Sequence, residues 1–222
     1  MRHLPNARLI VHPRGAPHLV NPEKLWTQSK QVLGEVAELY GAPEPVSPER
    51  IMQASDGTTV SLDKGVELEV IETLGHASHH FSYCEKSSQT VFPGDAAGIY
   101  LNKFDVIVPT TPPPFHLETA LSSIDKLVQK APKLLCYTHF GFAENAVEKL
   151  HRHATQLRLW ANIVAEGIKK GETIETISEN IRINDPAVRA VSDYVKTHPI
   201  MSRGVVKQNV QGFMEYFLKN QK

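Results

Sequence analysis

Three side chains that could bind a divalent cation each follow a short apolar run in the sequence. His76 comes after the alternating run 66–71, Asp95 follows a short run that ends in Pro-Gly, and His139 follows the run 134–138. Imidazole and carboxylate groups are the ligands that Zn²⁺ and similar divalent ions prefer. The sequence therefore predicts a His–Asp–His metal constellation built from three strand ends.

The surrounding sequence predicts the elements that would position these side chains. Apolar and alternating runs predict strands at 7–12, 50–54, 58–62, 66–71, 81–84, 90–92 and 134–138. Apolar residues at helical spacing predict helices over 22–40, 116–130, 146–170, 173–181, 185–197 and 204–218. Segment 98–106 is expected to be irregular, and the prolines in segment 108–115 predict a loop. Strands interleaved with helices, then a run of helices, are typical of an α/β core with a helical C-terminal appendage.

Composition excludes several classes of function. The 222 residues include 24 Lys and Arg against 24 Asp and Glu, so there is no electrostatic footprint for nucleic acid or an anionic membrane. No apolar run approaches the ~20 residues of a transmembrane helix, and residues 1–6 do not form a secretory signal. Cys84 and Cys136 lie in apolar strand patterns, which favours buried free thiols. We therefore expect a cytoplasmic protein.

Three motifs resemble those of a known family. Thr-Leu-Gly-His-Ala-Ser-His-His at 73–80, Phe-Pro-Gly-Asp-Ala at 92–96 and Thr-His-Phe-Gly at 138–141 are similar to the third, fourth and fifth signature motifs of the metallo-β-lactamase superfamily, in the same order and at similar spacing. The resemblance covers residues 7–142 and implies an αββα sandwich with a metal site at one edge of its sheets. We expect a metallo-β-lactamase-like core over 1–145 and a helical C-terminal extension over 146–222.

The resemblance also implies roles for individual residues. His76 would bind a first metal, Asp95 would bridge two metals, and His139 would bind the second. The cofactor would be one or two zinc ions, with iron or manganese also suited to these ligands. His80 would have a supporting role behind the ligands. The resemblance suggests Tyr100 and Phe115 as substrate contacts. His116 could line a substrate pocket, or it could be only a polar residue at the N-terminus of a helix.

One signature motif of the family is absent. The first motif, His-X-His-X-Asp-His, supplies further ligands to both metals and the general-base aspartate, and it does not occur in these 222 residues. His151-Arg152-His153 lies in a predicted helix, where residues two apart point about 200° apart, so we expect an exposed helix surface there. We therefore expect an N-terminally truncated fold. The strands that it lacks would leave apolar surface uncovered, which predicts a homo-oligomer or a partner segment.

Three hypotheses for function follow. The first is a metal-dependent hydrolase in which metal-bound hydroxide attacks an ester, thioester, lactone or phosphoester of a small-molecule substrate. A mononuclear site made of His76, Asp95, His139 and water is compatible with it. The alternative is a non-catalytic binding or scaffold protein of the same fold that has lost its metal site. A nucleic-acid-binding module built on helices 173–181 and 185–197 is disfavoured, because the appendage is not strongly basic.

Overall fold

A computed structural model describes residues 1, 3–139 and 141–220 of the chain. The strands within these residues are β1 (Leu9–Val11), β2 (Ile51–Gln53), β3 (Thr59–Ser61), β4 (Glu67–Glu72), β5 (Phe81–Glu85), β6 (Thr90–Phe92), β7 (Ile99–Leu101), β8 (Val106–Val108), β9 (Leu134–Cys136) and β10 (Phe142–Ala143). The helices are α1 (Ala16–Val20), α2 (Glu23–Leu33), α3 (Glu35–Tyr40), α4 (Leu117–Gln129), α5 (Ala146–Lys169), α6 (Ile174–Asn184), α7 (Pro186–Ala190), α8 (Ser192–Thr197) and α9 (Val205–Asn220). This architecture confirms the predicted mixed α/β class with a helical C-terminal part.

A six-stranded sheet in the order β10-β9-β6-β5-β4-β3 carries the three predicted strand ends. Three of the predicted strands, β4, β5 and β6, form an antiparallel meander, with Ile71 opposite Ser82 and Cys84 opposite Val91. Strand β9 then runs parallel to β6. Strands β4, β6 and β9 therefore point in the same direction, and their carboxyl ends meet at one edge of the sheet.

Helix α4 covers this sheet with a face of regularly spaced apolar residues. Leu117, Leu121, Ile124 and Leu127 are all buried, as the helical periodicity predicts. They pack in one hydrophobic cluster with sheet residues such as Val91. Burial of each such side chain contributes roughly 1.5–3 kcal/mol to folding.

Helix α5 continues the same cluster into the C-terminal part. Leu150, Leu157, Trp160 and Val164 share one buried face of this helix, and α6 and α9 pack around it. Trp160 is fully buried in this cluster, and its indole N–H donates to Asp185 Oδ2 at 2.6 Å. The cluster includes residues from the predicted core (1–145) and from the predicted helical extension (146–222). The division of the chain at residue 145 stays a prediction.

Several local predictions were wrong. The helix predicted over 22–40 is interrupted at Gly34, which has φ 55° and ψ −130°. Segment 98–106, which was expected to be irregular, contains β7 and the first residue of β8, and these two strands pair as a hairpin. His153 is only 2% exposed, although we expected it on an exposed helix surface, whereas His151 is exposed. Among the described residues, no helix is both long enough and apolar enough to cross a membrane.

Candidate functional site

The structure brings the three predicted metal ligands together at the carboxyl edge of the main sheet. His76 Nε2 lies 3.6 Å from Asp95 Oδ2, and His139 Nε2 lies 3.0 Å from Asp95 Oδ1. The side chains are 21%, 25% and 41% exposed for His76, Asp95 and His139, so solvent and small molecules can reach them. Both imidazoles therefore face one carboxylate.

A backbone carbonyl sets the orientation of His76. His76 Nδ1 donates to Thr110 O at 2.8 Å, and a carbonyl oxygen can only accept, so Nδ1 carries the proton. In the neutral imidazole, Nε2 is then the nitrogen with the free lone pair, and it faces Asp95. A histidine that ligates a metal commonly makes this kind of hydrogen bond through its other nitrogen. The Thr110 hydroxyl also donates to Asp95 O at 3.0 Å.

His80 supports the backbone at Asp95. The Asp95 N–H donates to His80 Nε2 at 3.0 Å, so His80 Nδ1 carries the proton and donates to Thr73 O, also at 3.0 Å. Burial lowers the pKa of His80 to about 4, and the charge of His76 adds to this effect. His80 is therefore neutral near pH 7, with both ring nitrogens in hydrogen bonds.

Asp95 and His139 form a charge-assisted pair. Burial alone would raise the pKa of Asp95, but the hydrogen bond from His139 and the charge of His76 hold it at about 2. The same hydrogen bond raises the pKa of His139 against the effect of burial. Asp95 is therefore an anion throughout the physiological pH range.

Further histidines line a cavity of about 320 Å³ next to this cluster. His12, His18 and His79 share its wall with His76 and Asp95. His12 is buried, receives the Arg14 N–H at Nδ1 and therefore donates from Nε2 to Glu72 Oε1 at 2.9 Å. Burial lowers the pKa of His79, helped by the charge of His18. The sequence pattern did not predict this cavity, although His12 follows strand β1 as the candidate ligands follow their strands.

The residues predicted to contact substrate lie elsewhere. Tyr100 is buried, and its hydroxyl donates to Asp105 Oδ1 at 2.7 Å. Phe115 is buried with its ring centroid 4.8 Å from that of Phe213. His116 is exposed and caps helix α4 by accepting the Thr119 N–H. The contacts of Tyr100 and Phe115 are those of core residues, and their role in substrate binding stays a prediction.

The donor set fits a divalent cation in type but falls short in number. The Nδ1–H tautomer of His76 and the ionised carboxylate of Asp95 suit a metal ligand. Across residues 1, 3–139 and 141–220, however, no group of three or more His, Cys, Asp or Glu side chains is arranged to hold an ion. His139 instead makes a direct hydrogen bond to Asp95. The described residues therefore supply part of a ligand set.

Comparison with known proteins identifies the family. The profile of the metallo-beta-lactamase superfamily matches residues 1–139, which is more than half of the chain. The chain belongs to this superfamily, as its three motifs predict. The family's first motif, His-X-His-X-Asp-His, is not among its 222 residues.

Individual relatives support the same fold. The metallo-beta-lactamase fold-containing protein ST1585 of Sulfurisphaera tokodaii is 26% identical over 163 residues, covering 72% of this chain and 60% of the relative. The crystal structure of ST1585 aligns with a TM-score of 0.70 at 23% identity, over 96% of this chain and 73% of that one. The superfamily protein TTHA1429 of Thermus thermophilus aligns with a TM-score of 0.63 at 16% identity, over 97% and 67%. The chain thus spans about 60% of the curated relative's length.

Proposed function

We propose that this chain carries part of the catalytic centre of a metal-dependent hydrolase. His76, Asp95 and His139 would contribute to a ligand set for zinc, or for iron or manganese. The convergence of both imidazoles on Asp95, with His76 Nδ1 bound to Thr110 O, is the observation that supports this proposal. The substrate would be a small molecule with an ester, thioester, lactone or phosphoester bond, and the two free thiols are compatible with a cytoplasmic location.

The residues of the chain would have separate tasks in such a centre. A bound divalent cation supplies a nucleophile from water at neutral pH and polarises the oxygen of the scissile group. Asp95 provides the negative charge that attracts the cation, and its depressed pKa keeps it ionised. Thr110 and His80 fix the directions in which His76 and Asp95 face. Leu19, Leu25 and Phe81 in the adjacent cavity would bind the apolar part of the substrate.

One observation favours a non-catalytic alternative. The hydrogen bond between His139 and Asp95 occupies donor atoms that a metal would need, and the described residues include no three-donor group. A superfamily protein that has lost its metal site and serves as a binding or scaffold protein would have this arrangement. This second function predicts no metal binding at the cluster.

Metal titration of the 222-residue chain separates the two functions. We expect the wild-type chain to bind zinc by calorimetry, and the Asp95→Asn variant to lose that binding because its side chain is neutral. Asp125→Asn, on the exposed face of α4, is the matched control and should bind as the wild type does. Wild-type binding no stronger than that of Asp95→Asn would contradict the proposal and support the scaffold alternative. Hydrolysis of a panel of esters, thioesters, lactones and phosphoesters would then assign the substrate class.

A further inference from the structure

The last helix of the chain contacts the loop that supports the candidate ligands. Asn209 of α9 is 3% exposed, and its side chain makes two hydrogen bonds to this loop. Its Oδ1 accepts the Thr111 N–H, and its Nδ2 donates to Pro109 O at 2.7 Å. The backbone carbonyl of Asn209 also accepts from the Thr111 hydroxyl at 3.1 Å. Asn209 therefore fixes the backbone on both sides of Thr110.

Thr110 connects this contact to two of the candidate ligands. Its carbonyl oxygen accepts from His76 Nδ1 at 2.8 Å, and its hydroxyl donates to Asp95 O at 3.0 Å. A continuous series of hydrogen-bonded groups thus leads from the C-terminal helix to His76 and Asp95. The series joins residues about 100 positions apart in the sequence, since the bond from Asn209 to Pro109 alone spans that separation.

The packing of α9 against the loop is unusually close. A Cβ atom built at Gly212 would lie 1.8 Å from Thr111 O, so only glycine permits this approach. Gly212 is three residues after Asn209 and therefore lies on the same face of the helix. The rings of Phe213 on α9 and Phe115 also pack together, with their centroids 4.8 Å apart. The loop is held in place by hydrogen bonds and by packing.

We propose that Asn209 is a positioning residue for the candidate site. It holds Thr110 so that the carbonyl oxygen keeps His76 in the Nδ1–H tautomer, with Nε2 directed at Asp95. The expected effect of Asn209 on metal affinity rests on the proposed function. Its expected effect on the His76 tautomer does not. The helical C-terminal part is therefore a component of the site's architecture.

Nitrogen-15 NMR of the metal-free chain tests the tautomer directly. In the wild-type chain, the ring shifts of His76 should report protonation at Nδ1. In Asn209→Leu, which has similar volume and no hydrogen-bonding groups, we expect a mixture of the two tautomers. Asn209→Asp keeps the acceptor for the Thr111 N–H but loses the donor to Pro109 O, so it should give an intermediate result. If Asn209→Leu does not fold, Asn209→Asp carries the test.

A second measurement on the same variants is zinc affinity by calorimetry. We expect Asn209→Leu to weaken it about tenfold, as the loss of a group that orients a ligand does. Ile177→Ala is the matched control, because Ile177 is fully buried in the same helical layer and lacks a side chain that can hydrogen-bond to the loop. It should lower the melting temperature without changing the His76 shifts or the zinc affinity.

The outcomes distinguish this inference from the proposed function. Unchanged His76 shifts in folded Asn209→Leu, or equal changes in Ile177→Ala, would overturn the positioning role. If the wild-type chain binds no zinc while the His76 shifts respond to Asn209→Leu, the proposed function fails and the positioning role stands.

Discussion

At the residue scale, Gly94 determines how Asp95 is presented to the two imidazoles. Gly94 has φ 56°, and a Cβ built on it would lie 2.4 Å from His80 Nε2, the atom that accepts the Asp95 N–H. A side chain at this position would therefore meet two obstacles. The left-handed backbone costs an L-residue roughly 1–2 kcal/mol, and His80 would have to leave its place.

Gly94→Ala is expected to destabilise the fold by about 2–4 kcal/mol because backbone strain and the displacement of His80 add. If the chain binds zinc as proposed, the variant should also bind it more weakly, since Asp95 loses the hydrogen bond from its N–H to His80. Gly57→Ala is the control: Gly57 has φ 78°, and a Cβ there would meet no atom within 4 Å. Urea unfolding of both variants measures the difference. An equal loss of stability would show that the contact with His80 is unimportant.

Residue types alone predicted part of this site. His76, Asp95 and His139 were found because each follows a strand whose pattern is visible in the sequence. Asn209 could not be found in this way, because its role depends on a helix that folds back across about 100 residues. His18 lies on α1, which has only five residues, and His79 lies in an irregular segment, so periodicity gives no clear signal for either residue.

At the element scale, Asp105 fastens the β7–β8 hairpin to helix α5. Its carboxylate accepts from the Tyr100 hydroxyl, from Lys149 Nζ and, at 3.0 Å, from Arg152 Nη1. The hydrogen bond from Lys149 is the main cause that holds the pKa of Asp105 well below its usual range. The Lys149 side chain is 8% exposed, so its ammonium group depends on this carboxylate.

Asp105→Asn should destabilise the fold by about 1–3 kcal/mol, because it leaves the buried Lys149 ammonium without a counter-charge. The expected loss of stability does not exceed this range because the Asp105 side chain is 55% exposed, and solvent screens its charge. Asparagine also tolerates the φ of 53° at this position, so the substitution removes the charge without adding backbone strain.

The exposed Lys196–Asp193 pair provides the control, and Asp193→Asn should cost less than about 0.5 kcal/mol. Chemical denaturation compares the two, and equal effects would refute the role given to Lys149.

The hairpin also shows why segment 98–106 was not predicted. Each of its strands has three residues, which is too short for a clear alternation. The left-handed residue before β8 is Asp105, so no glycine marks the turn. By contrast, the long periodic helices α4 and α5 were predicted to within a few residues. Tertiary contacts specify the short elements, and local periodicity specifies the long ones.

At the scale of the whole molecule, the core contains a histidine without a full set of hydrogen bonds. His153 is 2% exposed, and within the described part of the chain its Nδ1 has no hydrogen-bond partner. Burial lowers the pKa of His153 from 6.5 to about 4. The folded state therefore keeps this imidazole neutral at a pH where the unfolded chain already binds a proton.

This difference predicts a loss of stability in mild acid. Because the unfolded state binds more protons below pH 6.5, the free energy of unfolding should fall as pH falls towards 4, by about 2 kcal/mol between pH 7 and pH 5 from this group alone. His153→Phe should lose that component of the pH dependence. His151→Gln, two residues away and exposed, should keep it. Urea denaturation across pH tests both, and a parallel pH dependence of His153→Phe and wild type would contradict the assignment.

The general architecture was predictable, since strands followed by helices define the fold class and three motifs indicate the superfamily. The predicted homo-oligomer stays a prediction, which sedimentation velocity can test. The sheet and the C-terminal helices share one core, which was not predictable. The spacing of apolar residues shows which face of an element is buried, but it does not show which element packs against that face.

The close approach of Gly212 to Thr111 has a consequence for populations of molecules. If α9 detaches, Thr110 loses the support that sets His76, so a molecule with a detached helix is not competent at the site. The apparent affinity of any ligand that requires His76 in its observed orientation is then the intrinsic affinity reduced by the docked fraction. A substitution or partner that stabilises the docked helix would therefore strengthen ligand binding at His76. It would do so without contacting the ligand.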